Sequence, residues 1–350
     1  MTLLTLGVVV VTFNADDVIL DCLESLLASQ GVGLDIVVVD NASTDATLTT
    51  LRDWASGAQS YTVPSDMPFA LMPASKPVAL LKSGTDTWAR QDHSVTLIEA
   101  GVNGGFAAGV NRGLVELAAR PQIDRFWVLN PDSAVPPDTA AAFATFDTPA
   151  FALMGGRVLY YDDPETIQMD GGTVNQKTGV TGNLGLSLSP NDCLPPKIMD
   201  VDFISGASMV ASRKFYETIG PMPEDYFLYY EEVDWALQRG DLPLVYCPDA
   251  IVYHKAGTAI GSPTLNRPAS PFSFYFKHRA RMRFMRRFFP RNVPIALAYS
   301  VAKAAQLTLK GYRKEANALM LASLNRQPPA DIRNVLSEEA AALAFPATKP

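Results

Sequence analysis

The sequence predicts an α/β fold: a mostly parallel sheet flanked by helices, followed by a helical C-terminal appendage. Three observations carry that prediction. Apolar, β-branched runs alternate with helix-length segments through the first half of the chain, as in sheets built by helical crossovers. Those runs are continuous instead of alternating with polar residues, the mark of strands buried on both faces. Beyond residue 261 the composition shifts abruptly to a cation-rich, aromatic-rich sequence of a different kind.

The elements follow in order. Residues 7–12 (GVVVVT) form the first strand, and Asp16 or Asp17 is expected to cap a helix running to about Ser29. DIVVV at 35–39 is the second strand, and the segment Asn41-Ala42-Ser43-Thr44-Asp45 turns into a helix ending near Trp54. Residues 56–94 break the rhythm with Pro, Ser and Gly and read as an insertion, either a loop or a small subdomain. The alternation resumes with a strand at 95–98, a helix at 106–119 and a strand at 125–129 (RFWVL). Further on come the strand-like VDFISGASMVA, a helix at 213–219 and an acidic helix starting near Tyr229. The expected division is a catalytic domain at 1–265 and a basic, mainly helical region at 266–350.

Whole-chain properties narrow the function classes. With 350 residues, net charge −7 and 48% hydrophobic residues, the chain has the profile of a globular protein and no basic excess suited to coating nucleic acid. The apolar N-terminus lacks a basic leader and runs into Asn14, Asp16 and Asp17, so it reads as a strand, not a signal peptide. No stretch approaches the roughly 18 apolar residues of a membrane span. Three widely spaced cysteines without C-x-x-C spacing read as reduced thiols, which suggests a cytoplasmic location.

In open α/β sheets ligands bind where strands end, so the residues found there matter most. The predicted strands end in Thr12, Phe13 and Asn14; in Asp40 and Asn41; in Asn103, Gly104 and Gly105; and in Asn130 and Asp132. Each alone could be turn or capping chemistry. Together they suit a nucleotide: Asp40 can accept from a base N–H or ribose hydroxyl, and Gly104 and Gly105 allow close backbone approach. The glycine pattern GVNGGFAAGVNRG is neither G-x-G-x-x-G nor a P-loop, which argues against dinucleotide oxidoreductases and P-loop enzymes.

Seven segments in one order, VVTFNADD, VVVDNASTDAT, NGGFAAGVNRG, WVLNPDSAV, SGASMV, YFLYYEEVDW and VYCPDAIVYHKAG, resemble family 2 glycosyltransferases of the GT-A fold, especially the rhamnosyltransferase-like and galactofuranosyltransferase-like branch. The resemblance runs from about Thr5 to Gly261. It implies that Thr12, Asn14, Asp40, Asn41, Gly104, Gly105, Phe106, Asn111, Asn130 and Asp132 hold a UDP- or dTDP-linked sugar. It also implies that Asp132, where relatives carry Asp-x-Asp, binds Mg²⁺ or Mn²⁺ with His254 as a further ligand. Glu232 matches the family's catalytic base, which would deprotonate an acceptor hydroxyl of a cell-envelope polysaccharide or lipid-linked glycan. Two positions depart from the family pattern: Glu232 stands where Asp is usual, and Gln238, followed by Arg239, where Arg is usual.

Between Arg267 and Lys314 there are twelve Lys or Arg and no Asp or Glu. Arg279, Arg283 and Arg287 fall on one helical stripe, and like charges at that spacing repel. A compensating surface is expected: an anionic membrane on the cytoplasmic side or a lipid diphosphate acceptor, with the acidic main domain or a homodimer contact as alternatives. Two other function classes stay open, a catalytically idle glycan-binding subunit with this fold and a sugar nucleotidyltransferase. The second would need a Gly-rich, Arg-containing loop where TFNADD stands.

Overall fold

The computed structural model describes residues 4–84, 93–148, 150–255 and 269–346. The first strand, β1 (Thr5–Thr12), is followed by α1 (Ile19–Leu27), β2 (Gly33–Asp40), α2 (Thr47–Ser56), β3 (Leu80–Lys82), β4 (His93–Glu99), α3 (Phe106–Ala118) and β5 (Arg125–Leu129). Strands β3, β4, β2, β1 and β5 lie side by side in that order, all parallel. The valines of β1 explain why its run is continuous. Val9 and Val11 pack on one face against Val110 and Leu114 of α3, while Leu6, Val8 and Val10 pack on the other against Ile19 and Leu23 of α1. Gly109 and Gly113 let α3 lie that close, since a Cβ on either would stand 2.5 Å from Val11 or Val9.

The second half adds β6 (Ser133–Ala134), α4 (Thr139–Thr145), β7 (Leu153–Tyr160), β8 (Ile167–Met169), β9 (Gly172–Val174), β10 (Thr181–Asn183), β11 (Ser208–Ser212), α5 (Arg213–Ile219), α6 (Glu231–Leu237) and β12 (Val245–His254); β9 and β10 pair with each other in a separate two-stranded sheet, and the other strands complete the main one. Strand β11 runs antiparallel between β5 and β7, and β12 lies parallel to β7 with β6 antiparallel at its far edge. Of the strand-like stretch 201–211 only the last part joins the main sheet; Phe203 instead bridges to Gly172. The chain ends in α7 (Pro271–Phe288), α8 (Val293–Leu309), α9 (Arg313–Ser323), α10 (Ala330–Arg333) and α11 (Glu338–Ala344). Among the described residues no helix is long and apolar enough to cross a membrane.

Two expectations, the α1 cap and the separate C-terminal appendage, meet a different arrangement, and two open choices, the insertion and the arginine stripe, fall to one of their stated alternatives. Neither Asp16 nor Asp17 caps α1, whose N-cap is Val18 with no side-chain bond; the preceding loop is tied sideways to the next turn, Ala15 N–H donating to Thr47 Oγ1 at 2.9 Å. Residues 56–84 form no subdomain. They wrap the outer helices, Tyr61 Oη donating to Asp21 (2.8 Å) and the Lys76 ammonium sitting on buried Glu24 (2.6 Å) and over the Trp54 ring. The first C-terminal helix shares the main core, where Ala280, Met282, Phe284 and Met285 of α7 join the α3 side of the sheet, while α9–α11 bury their apolar residues in smaller clusters. The arginine stripe finds its anions inside the molecule: Arg283 and Arg287 pair with Asp225, Arg287 also with Asp234, and Arg279 donates to the carbonyl of Ala344. The 265/266 boundary and Arg267 lie outside the described residues.

Candidate active site

A cavity of about 660 Å³ opens at the carboxyl ends of the central strands, and the C-terminal helices contribute to its wall. Its lining includes Asn41, Asn103, Gly105, Phe106, Asn130, Asp132, Glu231, Glu232 and His254, with Phe227, Tyr229, Phe272, Ile332 and Leu336 forming an apolar side. The register explains the convergence. Thr12 of β1 is level with Asp40 of β2, and Val10 with Leu129 of β5, so the residues just past these strands emerge together.

Asn41 ties two of the loops. Its Nδ2 donates to the Gly105 carbonyl (2.9 Å) and Asn103 Oδ1 (3.1 Å), and its Oδ1 accepts from Gly104 N–H (3.3 Å). Gly105 has φ 89°, and an added Cβ would collide with the Phe227 carbonyl at 2.2 Å, so glycine is required here by the neighbouring chain. Asp40 is buried, and among the described residues neither its Oδ1 nor the buried Thr12 hydroxyl has a hydrogen-bond partner. Burial pushes the Asp40 carboxyl upward against the opposing bonds from Ser43.

Asp132 and His254 meet because β6 and β12 pair at Ser133 and His254. Asp132 Oδ1 stands 3.0 Å from His254 Nε2. On the other side of the ring, Nδ1 is 2.6 Å from Gln168 Oε1, whose own amide nitrogen reaches back to the His254 carbonyl at 3.5 Å. Both ring nitrogens therefore face oxygen acceptors, Gln168 Oε1 at Nδ1 and Asp132 Oδ1 at Nε2, so the ring is oriented from both sides. Asn130 Nδ2 approaches the same Nε2 at 3.2 Å. Among the described residues no cluster of three or more His, Cys, Asp or Glu side chains forms a metal-binding group.

The acidic helix α6 begins on unusual backbone. Phe227, Tyr229 and Tyr230 have φ of 69°, 68° and 71°, a region that disfavours bulky side chains at about 1–3 kcal/mol each. Aromatic burial offsets the strain: Phe227 stacks on Phe276 of α7 (5.1 Å between centroids), Tyr230 Oη donates to the Gly179 carbonyl (2.6 Å) and Tyr229 Oη bonds Ser273 (3.1 Å). The greasy flanks of the acidic run are thus anchors that aim its first turn into the cavity.

Its three carboxylates have separate fates. Asp234 is fully buried and committed, accepting from Tyr226 Oη (2.6 Å), Arg287 Nη1 (2.5 Å) and Gln238. Glu232 is half-buried at the cavity; burial raises its pKa, and the Lys277 ammonium of α7 partly opposes that rise. Glu231 is 3% exposed, its Oε2 has no partner, and burial followed by the neighbouring Glu232 charge holds its carboxyl well above the usual glutamate range. The positive charge beside Asp234, expected near position 238, comes from Arg287.

Comparison with known proteins finds a family resemblance. Residues 7–63 match the family model described as glycosyl transferase family 2. The chain is similar to glycosyltransferase family 2 over that N-terminal segment. Over 211 residues the chain is 24% identical to the low-salt glycan biosynthesis hexosyltransferase Agl10 of Haloferax volcanii, covering 59% of the chain and 62% of Agl10. Over 203 residues it is 27% identical to an N-acetylglucosaminyl-diphospho-decaprenol L-rhamnosyltransferase of Mycobacterium tuberculosis, covering 52% of the chain and 66% of that protein. The matched region thus spans just under two thirds of each relative. Among solved structures, the mannosyltransferase PcManGT of Pyrobaculum calidifontis superposes with TM-score 0.51 at 15% identity, over 93% of this chain and 87% of that one. S. aureus TarS 1–349 gives 0.50 at 14%, over 97% and 88%. The fold is the GT-A type, a mostly parallel mixed sheet with flanking helices and a helical C-terminal region.

Of the sequence-derived site, the fold brings Asn41, Gly105, Phe106, Asn130, Asp132, Glu232 and His254 to one cavity. Thr12, Asp40 and Gly104 are not part of that lining, the first two being buried, and Asn14 is spent on a turn, its Oδ1 accepting from Thr44 N–H at 2.8 Å. Asn111 does not reach the cavity: its amide is consumed by both backbone groups of Met222 (2.8 and 2.9 Å) and by Glu224 (2.8 Å), pinning α3 to the segment before α6. Sequence reasoning missed Glu231 and Gln168. Glu231 had a signal, two adjacent acids at a helix start; Gln168 had none, since its role arises only from strand pairing.

Proposed function

We propose that the chain is an inverting, divalent-cation-dependent hexosyltransferase, moving a sugar from a UDP- or dTDP-linked donor to a hydroxyl of a cell-envelope polysaccharide or lipid-linked glycan. One observation carries the reading: Asp132 with His254, and Glu232 from a different element, line the same cavity. The relatives' names, a glycan-biosynthesis hexosyltransferase and a rhamnosyltransferase acting on a lipid diphosphate, support it. So does the complex of PcManGT with GDP-mannose and Mn²⁺.

The residues present fit a cation. A carboxylate oxygen and an imidazole nitrogen 3.0 Å apart are hard and borderline donors suited to Mn²⁺ or Mg²⁺; Asp132 and His254 Nε2 would hold the ion, with Gln168 Oε1 placed to accept the proton that Nδ1 would then carry. When bound, such an ion stabilises negative charge developing on the leaving diphosphate. Asp40 Oδ1 and Thr12 Oγ1, without partners among the described residues, are acceptor and donor capacity for a nucleoside.

Glu232 supplies the proton chemistry. As the acceptor oxygen bonds to the anomeric carbon, its hydrogen passes to the Glu232 carboxylate while the carbon–oxygen bond to diphosphate breaks and its electron pair leaves with phosphate. Burial makes this carboxylate a stronger base than an exposed glutamate, and Lys277 favours its ionised state. The test is incubation with Mn²⁺ or Mg²⁺ and a panel of nucleotide sugars, measuring released nucleoside diphosphate and donor binding by calorimetry. Absence of both with every donor would overturn the reading.

A further inference from the structure

The arginines of α7 are compensated internally, but the next helix presents a different surface. Helix α8 (Val293–Leu309) buries Ala296, Ser300, Ala304 and Leu307, the i, i+4, i+8, i+11 stripe that packs on α7 and α9. The opposite arc is outward and apolar: Ile295, Ala298, Val301, Ala302, Ala305 and Leu309. Of these, Ile295 is 47%, Val301 56% and Leu309 89% exposed. No charged side chain interrupts that arc; Lys303 lies on its flank and donates to Gln306 at 3.0 Å. Solvent-facing helix surfaces ordinarily carry charge, and a charge-free apolar face over four turns is what a buried or interfacial helix shows.

Cations sit at both ends of that face. Arg291 precedes the helix and Lys310, Arg313 and Lys314 follow it, all exposed and none in an ion pair among the described residues. The contrast with α7 is informative, because there Arg283 and Arg287 each reach a carboxylate. From residue 267 to 314 no acid is present to repel an anion. Yet α8 is too short and insufficiently apolar to span a bilayer.

We infer that the outer face of α8, with Arg291, Lys310, Arg313 and Lys314, docks the protein in the plane of an anionic lipid surface. The apolar arc sinks to the acyl boundary and the flanking cations meet lipid headgroups. This surface differs from the α7 stripe suggested by the sequence, and it stands whether or not sugar transfer occurs.

The test is co-sedimentation of the full chain with phosphatidylcholine vesicles, with and without phosphatidylglycerol, at low and high salt. Binding is expected to anionic vesicles, weakened by salt. Ile295→Glu with Leu309→Glu, and separately Arg313→Gln with Lys314→Gln, should each lower partitioning on the order of tenfold. Circular dichroism and donor binding should stay unchanged, because these side chains are exposed. No binding to anionic vesicles, or equal binding by the wild type and both variants, overturns the inference. So does a concentration-dependent dimer in sedimentation velocity that Leu309→Glu abolishes, which would assign the face to a second copy of the chain.

Discussion

Replacing Glu232 by Gln is the most direct probe of the chemistry. The change is isosteric, so the cavity keeps its shape, and Glu231 and Asp234 keep their surroundings. What disappears is the proton acceptor. General-base contributions of about 10²–10⁴-fold correspond to roughly 3–5 kcal/mol of barrier. Donor binding should be retained, because Asp132, His254 and Asn41 come from other elements than α6. The assay is nucleoside diphosphate release with saturating acceptor, beside donor Kd by calorimetry and a pH profile. In the wild type the carboxylate must be ionised and its pKa is raised, so activity should fall as pH drops through a value above the ordinary glutamate range. Lys277→Met removes a charge that favours ionisation and should move that acidic limb further upward. Near-normal transfer by Glu232→Gln with an unshifted acidic limb would refute the assignment.

Asp132→Ala and His254→Ala should each weaken cation-dependent donor binding about tenfold or more. Gln168→Ala, which removes the acceptor facing Nδ1, should do so to a lesser extent; calorimetry with and without Mn²⁺ checks all three. Glu231 has a raised folded-state pKa, so whatever stability its protonated form contributes is lost as pH rises through that value. Glu231→Gln should therefore flatten the decline of Tm with rising pH, and an unchanged slope would count against a buried, protonated carboxyl. Arg287→Met leaves the buried Asp234 with only neutral partners. The expected loss, discounted for the solvent exposure of Arg287, is about 1–3 kcal/mol by chemical denaturation.

The central sheet was legible because burial on both faces leaves a local mark: the unbroken valines of β1 and β2 can only be strands of a covered sheet. The polar strand ends were legible for the same reason, since polarity immediately after such runs marks the crevice. What stayed hidden depends on distant partners. Asn111 looks like a ligand beside Gly105, yet it is spent on Met222, 111 residues away. The 56–84 segment has no periodicity of its own because Glu24 and Asp21 hold it in place. The arginine stripe implied a compensating anion, but not that Asp225 and Asp234 supply it. Gln168 could not be foreseen from spacing, because the β7–β8 pairing brings it to His254.

The guanidinium of Arg287 bears on how this architecture can be recombined. It reaches from α7 beneath α6 to a carboxylate two residues beyond Glu232, while Phe276 of the same helix clamps the contorted turn that precedes it. A C-terminal region borrowed from another protein would graft successfully only if it brought both a cation and an aromatic ring to those positions. The acidic turn and the C-terminal helix that braces it must therefore diversify in concert, not as interchangeable cassettes.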